Sequence, residues 1–380
     1  MHDHPILTSA VVRDEGVALS WSDGASARRH ALWLRDVCPC AVCEDPLSSQ
    51  RNHDAADLPP DLAVRHVAVG NDGALTVTWD PDGHVSRYDA AWLGTHLRGP
   101  VRAAPRLWGR DLEGRVPRAV WGAVSTDKAA LRRWLADLRD VGITVLEGTP
   151  SADSQVERVA ELYGYVHEGN DGRHFEVRSQ AQAINFAYTP KTLAVHTDRP
   201  FADPVPGVQL LHCLVQGEDG GENILVDGFA VAEGLRRAEP AAFAALARIP
   251  AEFRNRHGTV DLLARRPVIR LGADGGIEAI HVNDRCMRPP ETDDADIAAF
   301  YGAYRAFVAR LRAPEACITV KLRAGDTPVF DNCRVLHGRA GYDATRAHRH
   351  LQGTYTDWCY VESTLRRIDA ELGPEPVAVQ

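Results

Sequence analysis

His196-Thr197-Asp198 is the stretch on which this chain turns, read together with Asp331-Asn332-Cys333-Arg334-Val335-Leu336-His337-Gly338, whose His follows Asp198 by 139 residues. On an extended segment residues i and i+2 point to the same side. His196 and Asp198 therefore present an imidazole and a carboxylate to one point. The tripeptide alone is weak evidence: with 16 His in the chain, roughly one H-x-D arises by chance, and a surface pair or a cap is the plain alternative. His337, from a distant strand, would complete two His and one carboxylate on one face of a metal. Such a face leaves positions open for a bidentate co-substrate and for O₂, as in non-haem Fe(II) chemistry. Arg349 opens the segment Arg349-His350-Leu351-Gln352-Gly353-Thr354-Tyr355. Its guanidinium fork suits the distal carboxylate of a 2-oxo acid. Zinc hydrolysis is the competing metal chemistry, but the chain has no H-E-x-x-H helix and no second acidic base beside the pair.

Around these segments the pattern is of short strands with helices between them. Val208-Gln209-Leu210-Leu211-His212-Cys213-Leu214-Val215, Ile224–Val226, Ile318–Leu322, Thr327–Phe330 and His350–Tyr355 read as strands. Helices are expected from a cap at Ser125 or Thr126 to a stop at Gly142, at about 154–163, at about 228–249 with a break at Pro240, and at about 293–311. Dispersed strands with inserted helices fit a β-sandwich or barrel core buttressed by helices. The first hundred residues read as strands and turns, with Asn71-Asp72-Gly73 and Pro81-Asp82-Gly83 flanking Leu75-Thr76-Val77-Thr78-Trp79. The basic, aperiodic stretch from Gly99-Pro100 to Arg110 reads as a linker and places a seam near residue 105.

The 380 residues are 44% hydrophobic and 25% charged, ordinary globular values that exclude a disordered chain. With 43 Lys+Arg against 52 Asp+Glu the net charge is −9, which argues against a nucleic-acid groove. It does not exclude a small anion held by one buried Arg. No apolar run approaches the ~18–20 residues of a membrane span, and the opening Met1-His2-Asp3-His4-Pro5 lacks a secretory n-region. A soluble, cytoplasmic protein is the expectation. Cys38, Cys40 and Cys43 fall within six residues while the other five Cys are scattered, so metal binding or redox chemistry ranks ahead of bridging.

Leu32-Trp33-Leu34-Arg35-Asp36-Val37-Cys38-Pro39-Cys40, Gly207-Val208-Gln209-Leu210-Leu211-His212-Cys213 and Phe330-Asp331-Asn332 through His337-Gly338-Arg339 carry a resemblance, together with His196-Thr197-Asp198. They resemble the γ-butyrobetaine and trimethyllysine hydroxylase branch of the 2-oxoglutarate-dependent dioxygenases, over nearly the whole chain. The resemblance implies a mainly β fold: a double-stranded β-helix (jelly-roll) catalytic core at 106–380 and a small N-terminal zinc-binding β domain at 1–105. It implies Fe(II) on His196, Asp198 and His337, 2-oxoglutarate held by Arg349 beside Leu211, and ascorbate as a helpful reductant. It also implies zinc on Cys38, Cys40, Cys43 and His84. A Cys₃His set is closed and tetrahedral, as structural zinc requires. Three free buried thiols is the bland alternative, and His66 is a rival fourth ligand, ranked lower because its apolar neighbours suggest a strand packed inward.

Members that bind trimethylammonium groups use aromatic cages, since a quaternary nitrogen is held by cation–π attraction rather than hydrogen bonds. Tyr188 and Tyr355 match cage positions. The chain departs at Asp171 and Phe175, where the γ-butyrobetaine enzymes are expected to carry Tyr and Trp. Asn185 and Asn283 match contacts to the substrate's acidic end, and His281, Arg285 and Arg288, near the second of these, are candidates to read a different anion such as a phosphonate, with solvated surface as the plain alternative. Trp33, Trp79 and Trp92 read as core, and His212 as a packed residue.

The implied activity is C–H hydroxylation of a small cationic substrate such as γ-butyrobetaine, with release of succinate and CO₂. A trimethylaminoethylphosphonate or an amine-bearing natural-product intermediate is the alternative substrate. A non-catalytic zinc-bearing interaction protein on a dioxygenase fold is the reading from another class. The expected partners are small-molecule substrate and O₂, without nucleic acid or membrane, in a homodimer.

Overall fold

The structure, a computed structural model, describes residues 5–97, 104–169, 172–178, 191–217, 220–342 and 349–373. The chain divides into two compact units, Met1–Ala103 and Ala104–Gln380.

The first unit is built from two antiparallel three-stranded meanders, Leu7–Arg13, Gly16–Trp21 and Ser26–His30, and Ala63–Val69, Leu75–Asp80 and Val85–Tyr88. In Leu75–Asp80 the period-two pattern is realised: Leu75, Val77 and Trp79 are buried while Thr76 and Thr78 are half-exposed. The flanking turns place Gly73 and Gly83 at φ of 73° and 68°, a region that suits glycine. Two expectations fail here. His66 is exposed, because an irregularity in register between Val64 and His66 turns both Arg65 and His66 outward. Trp33 is 37% exposed beside Trp92 and Arg29, so of the three tryptophans only Trp79 lies fully in the core.

The second unit contains two sheets with a shared core. The larger has strand order Arg118–Val120, Ile143–Glu147, Thr327–Asp331, Val208–Val215, His350–Thr356, Phe175–Arg178, antiparallel except for its first pair. The smaller runs Leu193–His196, Val335–Arg339, Asn223–Asp227, Cys317–Val320, antiparallel throughout. Leu211, Cys213, Phe330 and Leu351 of the first pack with Leu225, Ile318, Val320 and Val335 of the second, forming the inner layer of a double-stranded β-helix.

Alternation along Val208–Val215 sorts its side chains. Leu211 and Cys213 join the inner core, while Val208 and Leu210 pack outward on Trp134, Leu135 and Val361 of helices Lys128–Val141 and Trp358–Leu372. A strand buried on both faces explains its nearly continuous apolar sequence. His212 faces outward too and is satisfied by Thr327 Oγ1 at 2.8 Å and the Pro150 carbonyl at 3.0 Å.

Helix Lys128–Val141 is capped by Asp127, whose carboxylate accepts from Ala129 N–H at 2.9 Å, rather than by Ser125 or Thr126. It ends where Gly142 takes φ 83°. The long helical stretch after Asp227 breaks as expected, into Gly228–Ala238 and Pro240–Arg248. With Asp294–Leu311 these helices cover the outer face of the smaller sheet through Val226 and Leu336. Among the described residues no helix is long and apolar enough to cross a membrane.

Candidate active site

His196 and His337 are register partners on adjacent antiparallel strands, which puts their ring centroids 4.3 Å apart. The chain leaves the sheet after His196 and brings Asp198 back between them. Nε2 of His196 lies 3.0 Å from Asp198 Oδ1, and Nε2 of His337 lies 3.6 Å from Asp198 Oδ2. The three side chains can all present a ligand atom to one ion.

The hydrogen bonds around this set fit a metal. Nδ1 of His196 is 2.9 Å from the Ala194 carbonyl, which calls for the N–H there and leaves Nε2 as a bare acceptor. A bare nitrogen facing a carboxylate oxygen at 3.0 Å requires a proton or a cation between them. His337 is buried, and burial, with His196 and Arg285 close by, pushes its imidazole down to about 3, keeping it neutral as ligation requires. Burial alone would raise Asp198, but His337, His196 and the Tyr355 hydroxyl more than offset it and hold the carboxylate well below the usual range.

Asn332 and Gln209, to which the motif reading gave no role, hold Asp198 in place together with Tyr355. Asn332 accepts from Asp198 N–H at 2.9 Å and donates to the Asp198 carbonyl at 3.0 Å and the Pro206 carbonyl at 2.9 Å. Gln209 donates from Nε2 to Asp198 Oδ2 at 2.7 Å, and the Tyr355 hydroxyl donates to the same oxygen at 3.0 Å. Oδ2 is thus held by the protein while Oδ1 faces His196. A Gln inside an otherwise apolar strand was the available signal, since buried polar side chains are rare without a partner to serve.

A narrow cavity extends from His337 between the sheets, lined by Leu211, Asn223, Leu225 and Phe330. Arg349 reaches Asn223 Oδ1 at 3.2 Å, while its Nε is buried with no hydrogen-bond partner among the described residues. Burial and the nearby Arg339 push its guanidinium down to about 10, still charged at neutral pH. A buried guanidinium whose Nε has no partner among the described residues suits an anion such as the carboxylate of a 2-oxo acid.

On the other side of Asp198 stands an aromatic wall. Phe175 stacks on Tyr355 with centroids 5.3 Å apart and planes at 26°. Asn283 is buried, donating to the Thr197 carbonyl at 3.1 Å and accepting from Arg285 N–H at 3.3 Å, and its second amide N–H has no partner among the described residues. His281 is no anion reader: it is fully buried, its Nδ1 is 2.9 Å from the Pro267 carbonyl, and burial pushes it down to about 3. Arg288 faces Glu252 rather than the site. Asp171, Asn185 and Tyr188 lie outside the described residues.

The first unit carries a second donor set. Cys38, Cys40 and Cys43 follow helix Ala31–Asp36, and His84 sits on the turn before Val85–Tyr88. Nε2 of His84 lies 3.3, 3.7 and 3.6 Å from the three sulfurs. Tetrahedral zinc, with Zn–S of about 2.3 Å and Zn–N of about 2.0–2.1 Å, needs a separation of about 3.5 Å. The donor set therefore fits zinc. Arg35 supports it, donating to Cys43 Sγ and Asp82 Oδ2, each at 3.2 Å. A third His/carboxylate group, Asp153, His174 and Glu176, is bound together by Gln352, whose Nε2 donates to Asp153 at 2.6 Å and Glu176 at 2.9 Å.

Residues 105–355 match the taurine catabolism dioxygenase TauD, TfdA family, and residues 10–94 match the γ-butyrobetaine hydroxylase-like N-terminal family. The chain is 40% identical to a γ-butyrobetaine dioxygenase of Pseudomonas sp. (strain AK-1), over 92% of this chain and 93% of that protein. It is 30% identical to the Homo sapiens γ-butyrobetaine dioxygenase, over 91% and 92%. It is also 30% identical to the mitochondrial trimethyllysine dioxygenase of Mus musculus, over 87% and 80%. A solved taurine dioxygenase from Burkholderia xenovorans overlaps with a TM-score of 0.49 at 17% identity, covering 66% of this chain and 89% of that one. A non-catalytic role is thereby set aside: the chain belongs to the TauD/TfdA family of dioxygenases, enzymes that work with Fe(II) and 2-oxoglutarate.

Proposed function

We propose that the enzyme hydroxylates a C–H bond of γ-butyrobetaine or a close zwitterionic relative, with His196, Asp198 and His337 holding Fe(II) and Arg349 holding 2-oxoglutarate. The observation that carries this reading is Tyr355, which bonds Asp198 through its hydroxyl and stacks on Phe175 through its ring. An aromatic surface for a quaternary ammonium thus borders the metal set directly. Bound iron supplies the O₂ chemistry that couples decarboxylation of 2-oxoglutarate to hydroxylation. The chain's residues do the rest. Gln209, Asn332 and Tyr355 fix Asp198, Leu211 and Phe330 keep the co-substrate cavity apolar, and Arg349 sets the direction in which the 2-oxo acid enters. Tyr188, Asp171 and Asn185 complete the substrate side by resemblance.

The names of the relatives support the substrate, and the Cys₃His set supports a structural zinc. All eight cysteines are free, and thiolate zinc chemistry suits a reducing compartment, which supports a cytoplasmic enzyme. Resemblance to the branch supports a homodimer. Purified enzyme with Fe(II), ascorbate and 2-oxoglutarate, followed by proton NMR, tests the reading. Succinate formation coupled to a new CHOH signal from γ-butyrobetaine is expected. Succinate without oxidation of γ-butyrobetaine, trimethyllysine, trimethylaminoethylphosphonate or their unmethylated amines would remove the trimethylammonium substrate and leave the dioxygenase.

A further inference from the structure

Phe175–Arg178 is the edge strand of the larger sheet, and alternation gives its two faces different work. Phe175 and Val177 pack inward on the core. Glu176 points the other way, opposite its register partner Gln352. His174 precedes the strand, and Asp153 comes from the loop before helix Gln155–Ala160. Asp153, His174 and Glu176 each offer one ligand atom, all within 4.8 Å of one another.

The fully buried Gln352 amide lies beneath them. Its Oε1 accepts from Ser154 N–H at 2.9 Å, which fixes the amide's orientation and turns its NH₂ toward the three side chains. Two hydrogens face three acceptors there: Asp153 Oδ1 at 2.6 Å, Glu176 Oε1 at 2.9 Å and His174 Nε2 at 3.5 Å. The carboxylates take both hydrogens, and the imidazole nitrogen is left over. Nδ1 of His174 lies 2.7 Å from Glu157 Oε1, so the ring proton belongs there and Nε2 is a bare acceptor, 4.0 Å from Glu176 Oε1. A carboxylate behind one ring nitrogen, with the other facing further carboxylates, is the outer-shell arrangement of a metal-ligating histidine. Nearby charge leaves the need unmet: Arg173 is engaged by Glu157 and Glu161, and Asp153 has no ion pair among the described residues.

A bare nitrogen among carboxylates is served by a proton or by a metal ion. Donors at about 2.0–2.2 Å from a four-coordinate ion stand about 3.4 Å apart, so these partly exposed side chains need close by only several tenths of an ångström. Imidazole with two carboxylates selects an ion such as Zn²⁺ over Mg²⁺ or Ca²⁺, which prefer oxygen alone.

We propose that Asp153, His174 and Glu176 form a third metal site, open to solvent and suited to Zn²⁺, which clamps the edge strand Phe175–Arg178 to the loop before helix Gln155–Ala160. Gln352 fills the inner side, so the ion enters from solvent and water completes its coordination. The clamped strand is the one whose inward residue, Phe175, stacks on Tyr355, so an ion here bears on the aromatic wall from behind.

The test is calorimetric titration of Zn²⁺ into anaerobic enzyme that already holds zinc in the first unit and Fe(II) with 2-oxoglutarate in the second. Iron content is measured afterwards, and amide hydrogen exchange over 175–178 is followed with and without added Zn²⁺. The wild type is expected to take up one further equivalent, to keep its iron, and to exchange those amides several-fold more slowly. His174→Gln should lose the equivalent while keeping every carboxylate. Asp153→Asn, on an exposed loop and still an acceptor for Gln352, should bind several-fold more weakly and guards against a folding defect in the first variant. No further equivalent in the wild type, or uptake equal in wild type and variants, would overturn the site. Uptake only with release of iron would place the zinc at His196, Asp198 and His337 and overturn it as well. Uptake without slower exchange would mark an adventitious surface ion and overturn the clamp. None of these outcomes depends on which substrate the enzyme hydroxylates.

Discussion

The hydroxyl of Tyr355 donates to Oδ2 of Asp198 at 3.0 Å, so the residue that forms the aromatic wall also holds the carboxylate of the metal set. On the proposed reading, substrate recognition and metal geometry meet in one side chain. Gln209 shares the same oxygen at 2.7 Å, and together they leave Oδ1 turned toward His196. A carboxylate with one oxygen bonded by the protein and one free is a preorganised ligand, because its rotation is already fixed before an ion arrives.

Tyr355→Phe separates the two roles. The ring and its stacking on Phe175 remain, while the hydrogen bond to Asp198 is lost. Iron affinity should fall about tenfold, the lower end for loss of an outer-shell partner, with little change in KM for substrate at saturating iron. Tyr355→Leu should in addition raise KM. Iron titration followed by kcat and KM on both variants checks the split.

Arg349→Ala should raise KM for 2-oxoglutarate by about two orders of magnitude, since truncating one partner of a buried charge pair costs about 2–5 kcal/mol. Arg349→Lys keeps the charge but not the fork, and should recover only part of the loss. Steady-state succinate formation against 2-oxoglutarate concentration measures both. An unchanged KM in Arg349→Ala would mean that the co-substrate is held elsewhere.

The donors of both metal sets were legible in the sequence because ligation demands particular residue types at particular spacings. Their supports were not. Asn332 serves Asp198 from 134 residues away, and only the pairing of Leu193–His196 with Val335–Arg339 brings them together. The strand content was legible from β-branched runs, and the division of the helical stretch after Asp227 from Pro240. The inward turn expected of His66 failed because a one-residue irregularity reverses the facing of a strand, and single-residue shifts leave no periodic trace. His281 looked like a site residue because it neighbours Asn283. His281 and Asn283 lie outside any strand, so their facing follows local loop geometry: His281 meets the Pro267 carbonyl while Asn283 turns to the Thr197 carbonyl.

Arg334 and Asp227 form a fully buried ion pair at 2.9 Å, with side chains 2% and 0% exposed. Asp227 also caps helix Gly228–Ala238, accepting from Phe229 N–H at 3.0 Å, and Arg334 donates to the Asp140 and Arg106 carbonyls. Asp227→Ala leaves a buried guanidinium without its counter-charge and should cost about 3–5 kcal/mol, well above the roughly 1 kcal/mol of a lost cap. Denaturant unfolding gives the number. A cost near that of the cap alone would show that Arg334 finds another partner.

Zinc should be present at about one equivalent per chain in purified protein, as a closed Cys₃His set holds it, measured by elemental analysis. Cys40→Ala should lose it and lower the melting temperature of the first unit. Arg35→Ala leaves all four donors and should retain the metal but release it to a chelator about tenfold faster, because Cys43 loses its charge-assisted partner. Retention of zinc in Cys40→Ala would remove the assignment of that ligand.

Asp331 gives a pH signature away from either metal set. Burial pushes its carboxyl up to about 6, against the pull of Arg334 and the backbone N–H groups of Cys333 and Arg334. The unfolded chain ionises this group near its ordinary value of 3.8, so between about pH 4 and 6 the folded chain holds a proton the unfolded chain has released. A group with a raised carboxyl favours folding most at low pH, and its contribution falls as pH rises through this window and is level above it. Asp331→Asn keeps an acceptor for the Cys333 N–H, 2.9 Å away, and removes the ionisation. The variant should therefore be the more stable protein above pH 6, by on the order of 1–2 kcal/mol after allowing for the partial exposure of the side chain. Its advantage should shrink toward pH 4. Urea unfolding of both proteins at a series of pH values from 4 to 8 measures the difference, and a constant offset across that range would show that Asp331 does not titrate within it.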